Sequence, residues 1–134
     1  MNKYEKGIKK FTVLLTLGGA VYSLIELVWR GRTHPSMALA GGLCLCGLYA
    51  VRTKFAELGA VASAVTGCAV ITAVEFIFGY VCNIMLKLDV WDYSGLFCNL
   101  LGQVCLLYTF LWFLLCFPAF GLCRLCKKHI FDRW

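Results

Sequence analysis

The chain has 134 residues, of which 61% are hydrophobic and 15% are charged, and its mean hydropathy is +0.79. The length fits one domain, and a soluble domain would need more polar surface than this to cover itself. The net charge of +6 comes from residues between and beyond long apolar blocks, so it indicates orientation in a membrane and not nucleic-acid binding.

The first apolar block covers residues 11–29, follows a lysine-rich start and is long enough to span a bilayer. A cleaved signal peptide is the alternative, with a weak cleavage site at Gly18-Gly19-Ala20. The block continues unbroken past that point to Trp29, so we predict a retained first span.

The second block covers residues 36–51, and Pro35 suits the first turn of its helix. The block is rich in small residues, namely Ala38, Ala40, Gly41, Gly42 and Gly47. Small residues allow helices to approach closely in lipid. We therefore predict that this span packs in the interior of a helix bundle.

The third block, residues 58–86, is longer than a bilayer requires, so we expect it to tilt or to extend beyond the membrane. The fourth, residues 96–122, carries a bulky aromatic face that predicts lipid contact or an interfacial belt. Pro118 is expected to kink or end this helix. The basic, aromatic tail, residues 123–134, is expected to lie at the interface.

Together the four blocks predict an all-α fold, an integral membrane four-helix bundle. If both termini are cytoplasmic, ten of the thirteen Lys and Arg residues lie on the cytoplasmic side of the cell membrane. The other three are Arg30, Arg32 and Lys87. The positive-inside rule favours this orientation.

The first and third spans show a weak internal similarity. When Glu26 is aligned with Glu75, Gly18 meets Gly67 and the residues around them also correspond. The bundle would then consist of two parallel, pseudo-repeated helical hairpins. Small apolar residues also match by chance in such a composition, so both interpretations stay open.

Nine cysteines lie mostly in or beside apolar blocks, where they act as small buried residues and not as a disulfide framework. Cys123, Cys126 and His129 have partial metal-ligand spacing, but a structural zinc site needs four ligands. The chain also lacks a phosphate-binding glycine loop and a nucleophile elbow. We expect no metal, no cofactor and no enzymatic activity.

Two acidic residues, Glu26 and Glu75, fall inside predicted spans toward their outer ends. A carboxylate there is costly unless it is paired, solvated or functional. Glu26 has an ion-pair partner one turn away in Arg30. Glu75 has no basic neighbour within a turn, so it is either hydrogen-bonded to another helix or available to a ligand.

Further polar and aromatic residues are predicted at a similar depth. Asn99 and Gln103 have the spacing of neighbours on one helix face, where amides commonly bridge helices. With Glu26 and Glu75 they could line a polar vestibule open to the outside, the usual make-up of a small-molecule site. The candidate ligand-binding residues are Glu26, Glu75, Asn83, Trp91, Tyr93, Asn99 and Gln103.

Five stretches carry a resemblance that covers most of the chain. They are residues 26–37, the Gly41-Gly42 pair, Glu75 with Asn83, residues 91–94, and residues 99–103. In them the chain resembles the bacterial family "Putative ABC-transporter type IV", the CmpB-like permease proteins. The resemblance implies a permease component of the cell membrane, and it assigns no role to any single residue.

These observations leave three functional hypotheses. The first is a transport-type protein that binds a small polar or cationic solute in the outer vestibule. Because four spans leave little room for a pathway, it would need a homo-oligomer, or partner membrane or ATPase chains. The second is an accessory subunit that docks a partner, and the third is a holin-like lysis protein with a basic tail.

Overall fold

The computed structural model describes residues 1–134 and contains four long helices and no strand. The helices are α1 (Lys3–Arg30), α2 (Pro35–Lys54), α3 (Ala60–Gly79, extended by a wider π-type turn, Tyr80–Met85) and α4 (Leu106–His129), with a final 3₁₀ turn at Phe131–Arg133. All four are long and apolar enough to cross a membrane. The predicted all-α four-helix bundle is confirmed, and the protein is a membrane protein.

Local sequence signals set the ends of the first two helices. Asn2 and Glu5 form a capping box, in which each side chain accepts a hydrogen bond from the backbone N–H of the other. Gly31 ends α1 in the left-handed conformation, with φ +74°. His34 then caps α2, and Pro35 occupies its first turn. The two helices therefore form a tight hairpin.

Glycines allow α1 and α2 to pack at very short range. A Cβ added to Gly42 would clash with the backbone oxygen of Leu15, and one added to Gly18 would lie 2.8 Å from the backbone oxygen of Gly41. Helix α2 also packs on α3 and α4. The prediction that this small-residue span lies in the interior of the bundle is confirmed.

The packing order leaves one gap in the bundle. Helix α1 packs on α2, α2 on α3 and α3 on α4, whereas α1 and α4 make little direct contact. We call the end with both chain termini the terminal end, and the end covered by residues 86–105 the loop end. The main hydrophobic core joins α1, α2, α3 and α4 and reaches to Phe131.

The last helix begins at Leu106, ten residues later than the predicted Leu96, and continues past Leu122 to His129. The preceding stretch includes apolar residues such as Leu96 and Leu100, so its hydropathy resembles that of the first turns of a membrane span. The backbone of this stretch forms turns instead, because the Asn99 side chain bonds nearby backbone groups and competes with a helix. Asn99 and Gln103 are therefore not neighbours on a helix.

The tail continues the last helix and packs into the bundle, and its expected location at the membrane interface stays a prediction. Pro118 lies inside α4 without ending it, so residues 123–129 continue the helix. Phe131 is buried in the core and meets Tyr49 edge to face at 5.4 Å. Lys10 lies over the Phe131 ring and Lys9 over the Trp134 ring, which closes the terminal end between α1 and the tail.

Candidate functional site

The main cavity lies in the bundle interior behind the gap between α1 and α4, and we call this gap and the space behind it the α1–α4 cleft. Its volume is about 330 Å³, within the range of small-molecule sites. All four helices line it, and most of the lining is aliphatic. Apart from the Cys44 thiol, its polar side chains are Tyr22 of α1, Glu75 of α3 and Trp112 of α4.

Glu75 has one carboxyl oxygen bound and the other free. Oε2 accepts a hydrogen bond of 2.6 Å from the indole N–H of Trp112. Oε1 is buried without a hydrogen-bond partner, in a residue that is only 8% exposed. The Tyr93 hydroxyl faces this carboxyl without reaching hydrogen-bond geometry. A buried unpaired acceptor costs about 1–3 kcal/mol, so Oε1 marks a position for a missing donor.

A second cavity of about 190 Å³ continues the cleft toward the loop end. It contains Glu26 and Arg30, whose Oε2 and Nε atoms are 2.7 Å apart. The Arg30 Nη2 also donates to the backbone oxygen of Val90 at 3.2 Å. The Glu26 carboxylate is thus already matched by a cation, as its i,i+4 spacing indicates.

Aromatic side chains close the loop end of this second cavity. The rings of Tyr93 and Tyr108 stack with centroids 4.7 Å apart. The indole N–H of Trp29 donates to the Tyr108 hydroxyl at 3.3 Å, which joins α1 to α4. Burial raises the pKa of Tyr93, so its hydroxyl stays protonated and can act as a donor.

The segment of residues 86–105, which we call the cap loop, folds over the loop end and is held there by the side-chain amides of Asn83 and Gln103. The Asn83 side chain donates to Gln103 Oε1 at 2.8 Å and accepts from the Val90 N–H at 2.7 Å. The Trp91 indole donates to the backbone oxygen of Gln103 at 2.9 Å, and the Gln103 side chain donates to that of Leu101. The π-type turn that ends α3 contains Asn83 and so places it at the centre of this network.

Two more polar side chains shape the surface of the cap loop. Asn99 donates to the backbone oxygens of Ser94 and Leu96 and accepts from the N–H of Gly102. Asp92 accepts from the backbone N–H of Ser94, and this hydrogen bond lowers the pKa of the Asp92 carboxyl. Both residues hold local turns and lie away from the cleft cavities.

Comparison with known proteins gives one finding. The family model described as "Putative ABC-transporter type IV" matches residues 11–133, which is nearly the whole chain. The chain belongs to this family. No curated protein and no solved structure matches it. That description names an ABC transporter, and the four apolar helices are consistent with a component embedded in the membrane.

The structure divides the predicted site residues into two groups. Glu75 lines the main cavity, and Glu26 and Tyr93 line the second one, so these three share the cleft. The other four belong to the cap loop network: Asn83, Trp91, Asn99 and Gln103. The cap loop covers the end at which an open vestibule was expected, and the cleft opens sideways between α1 and α4.

Sequence reasoning missed Tyr22, Trp112 and Tyr108 as residues of the cleft. The aromatic face of the last span was expected to meet lipid or to form an interfacial belt, whereas its Tyr108 and Trp112 line the second cavity. The rings of Tyr22 and Trp112 meet at 6.0 Å across the cleft. A signal was available, since Tyr22 precedes Glu26 by four residues and Tyr108 precedes Trp112 by four, which places each pair on one helix face.

The cysteines and the histidine of the tail do not converge. Cys123 and Cys126 are buried in the core, whereas His129 is exposed. No group of three or more His, Cys, Asp or Glu side chains could hold a metal ion, and all nine cysteines are free. The buried acidic side chains of the bundle are those of Glu26 and Glu75.

Proposed function

We propose that this protein is a membrane-embedded transporter component that binds a small cationic or hydrogen-bond-donating solute in the α1–α4 cleft. The observation that carries the proposal is the buried, unpartnered Oε1 of Glu75 beside a cavity of about 330 Å³. A solute that donates a hydrogen bond to this oxygen, or that places a positive charge beside it, would satisfy it, and the aliphatic walls would exclude competing water.

The two glutamates have different roles in this proposal. Glu26 is neutralised by Arg30, and Arg30 also binds the cap loop through Val90, so this pair fixes the loop end of the cleft. Glu75 has no cation beside it in the cavity lining and is the charge partner of the solute. Solute binding thus depends on Glu75 directly and on Glu26 through the shape of the cleft.

The proposed orientation places the terminal end in the cytoplasm and the cap loop outside. The terminal end holds ten of the thirteen Lys and Arg residues, which supports this arrangement. An ATP-hydrolysing partner would then meet the basic terminal end. The tail is packed into the bundle through Phe131, so a partner would contact the folded end of the bundle and not a loose peptide.

Replacing Glu75 with glutamine tests the proposal. Native mass spectrometry of protein released gently from its own membrane should show a small bound molecule on the wild type. We expect Glu75→Gln to reduce its occupancy about tenfold or more, because the loss of a charge-assisted contact of roughly 1.4 kcal/mol weakens binding tenfold. Co-purification of an ATPase chain in the same spectra would support a transporter complex.

Glu57→Gln is the matched control, because Glu57 is exposed in the connection between α2 and α3. It should keep the bound molecule at the wild-type level. Thermal melting of helicity checks that both variants are folded. A folded Glu75→Gln variant that retains the same bound molecule would contradict the proposal.

A further inference from the structure

The walls of the main cavity restrict the class of solute. Side chains such as Val21, Leu45, Leu48 and Ile71 offer no hydrogen bonds to a polar molecule that loses its hydration shell there. Burial of unpaired polar groups is unfavourable, so a sugar or a small hydrophilic ion would be bound poorly. The cavity fits a solute with a mainly apolar surface.

The few polar groups of the cavity select for one positive charge. None of the lining residues is Lys, Arg or His, and the free Oε1 of Glu75 is the unmatched acceptor. The Trp112 and Tyr22 rings both line the cavity and meet edge to face across the cleft, and aromatic rings attract cations. The arrangement favours a cation that is large and weakly hydrated.

Both ends of the bundle are covered, so the cleft is reached from its side. At the loop end, Trp91 and Gln103 are buried in the cap loop, and Trp29 meets Tyr108. At the terminal end, Phe131 is buried beneath Lys10. The unpacked gap between α1 and α4 is left as the way in, and in a membrane lipid surrounds it.

Building on the proposed function, we propose that the solute is an amphiphilic organic cation that enters from the bilayer between α1 and α4. Its charged group binds Glu75 and its apolar body fills the aliphatic cavity. A solute of this class concentrates in the membrane before it binds, so no aqueous vestibule is needed.

Two probe ions of equal shape and opposite charge test the charge selection. The protein in phosphatidylcholine nanodiscs is dialysed against labelled tetraphenylphosphonium or tetraphenylborate, with empty nanodiscs subtracted. Choline serves as the hydrophilic cation. We expect saturable binding of tetraphenylphosphonium, about one per chain, that weakens at least about tenfold in Glu75→Gln. Tetraphenylborate and choline should bind at least about tenfold more weakly than tetraphenylphosphonium.

A second set of variants tests the lateral route. Leu115→Trp on α4 and Ile25→Trp on α1 place a bulky ring in the opening from opposite sides. Each should weaken or slow tetraphenylphosphonium binding. Val65→Trp adds the same ring to the exposed surface of α3 and should leave binding unchanged. Melting of helicity confirms that the variants are folded.

The outcomes separate this inference from the proposed function. Glu75-dependent binding of choline without binding of tetraphenylphosphonium would overturn the amphiphilic class and leave the proposed function standing. Equal binding of tetraphenylborate would overturn charge selection, and unchanged binding in both Trp variants of the opening would overturn the lateral route. If tetraphenylphosphonium or choline bound equally well to wild type and to Glu75→Gln, the charge of Glu75 would have no part in binding. Both proposals would then be overturned, and the cleft would be suited to a lipid acyl chain.

Discussion

Replacing Trp91 with alanine is expected to detach the cap loop and to lower the free energy of unfolding by about 3–5 kcal/mol. Trp91 is only 3% exposed and packs with Met37, Cys82 and Val90. Its indole donates to the backbone oxygen of Gln103, so truncation leaves both a cavity and an unpaired buried acceptor. Hydrogen exchange of backbone amides in residues 86–105 should rise strongly.

Phe97→Ala is the matched control for this prediction. Phe97 lies in the same cap loop but is 81% exposed, so its truncation removes an aromatic ring without opening the core. We expect wild-type hydrogen exchange and a wild-type unfolding midpoint in detergent for this variant. Similar protection of the cap loop in Trp91→Ala and Phe97→Ala would show that Trp91 does not anchor the loop.

Replacing Gly42 with leucine is expected to prevent the α1–α2 hairpin from packing. Even the first carbon of a side chain would clash with the backbone oxygen of Leu15, and a backbone atom cannot rotate away. Overpacking usually costs about 1–3 kcal/mol, and this contact should exceed that range because two helices must separate. The folded fraction during titration with a denaturing detergent measures the effect.

Gly121→Leu tests whether the effect belongs to that position. A Cβ at Gly121 of α4 meets no atom within 4 Å, so leucine there is accommodated and improves the helix propensity. We expect unfolding at the wild-type detergent concentration or slightly above it. If the two leucine variants unfold alike, close α1–α2 packing does not determine the stability of the bundle.

The features that sequence predicts well are those set by local composition and short spacing. The four apolar blocks correctly predicted the four helices, and the small residues around Gly41 and Gly42 correctly predicted the interior position of α2. The i,i+4 spacing of Glu26 and Arg30 gave their ion pair. Each of these depends on residues within one helix or on the hydropathy of one segment.

The cap loop was missed because its contacts are not local. Gln103 bonds Asn83, twenty residues earlier in the chain, and no short spacing signals that partner. Its apolar residues Leu96, Phe97 and Leu100 raise the hydropathy to that of a span, although all three are exposed. Hydropathy alone cannot separate an apolar loop that covers a bundle from the first turns of a helix.

The orientation of Trp112 depends on the packing order of the helices. The side chains of α4 include aromatic residues on several faces, so composition does not say which face meets α3. The structure turns Trp112 toward Glu75 while Phe110 stays exposed. The sequence alone identifies Glu75 as an unusual residue, because it is a carboxylic acid inside an apolar span. Its hydrogen-bond partner and the cavity beside it can be identified only from the packing of the four helices.

The most direct test of the account is the indole N–H spectrum of the protein, which has four tryptophans. Trp112 donates to Glu75 beside the main cavity, whereas Trp134 lies at the terminal end. The Trp112 signal, assigned from its loss in Trp112→Phe, should move when a cationic probe, choline or tetraphenylphosphonium, is added. The Trp134 signal should stay in place. A saturable shift of Trp134 with Trp112 unchanged would place binding outside the α1–α4 cleft and contradict the account.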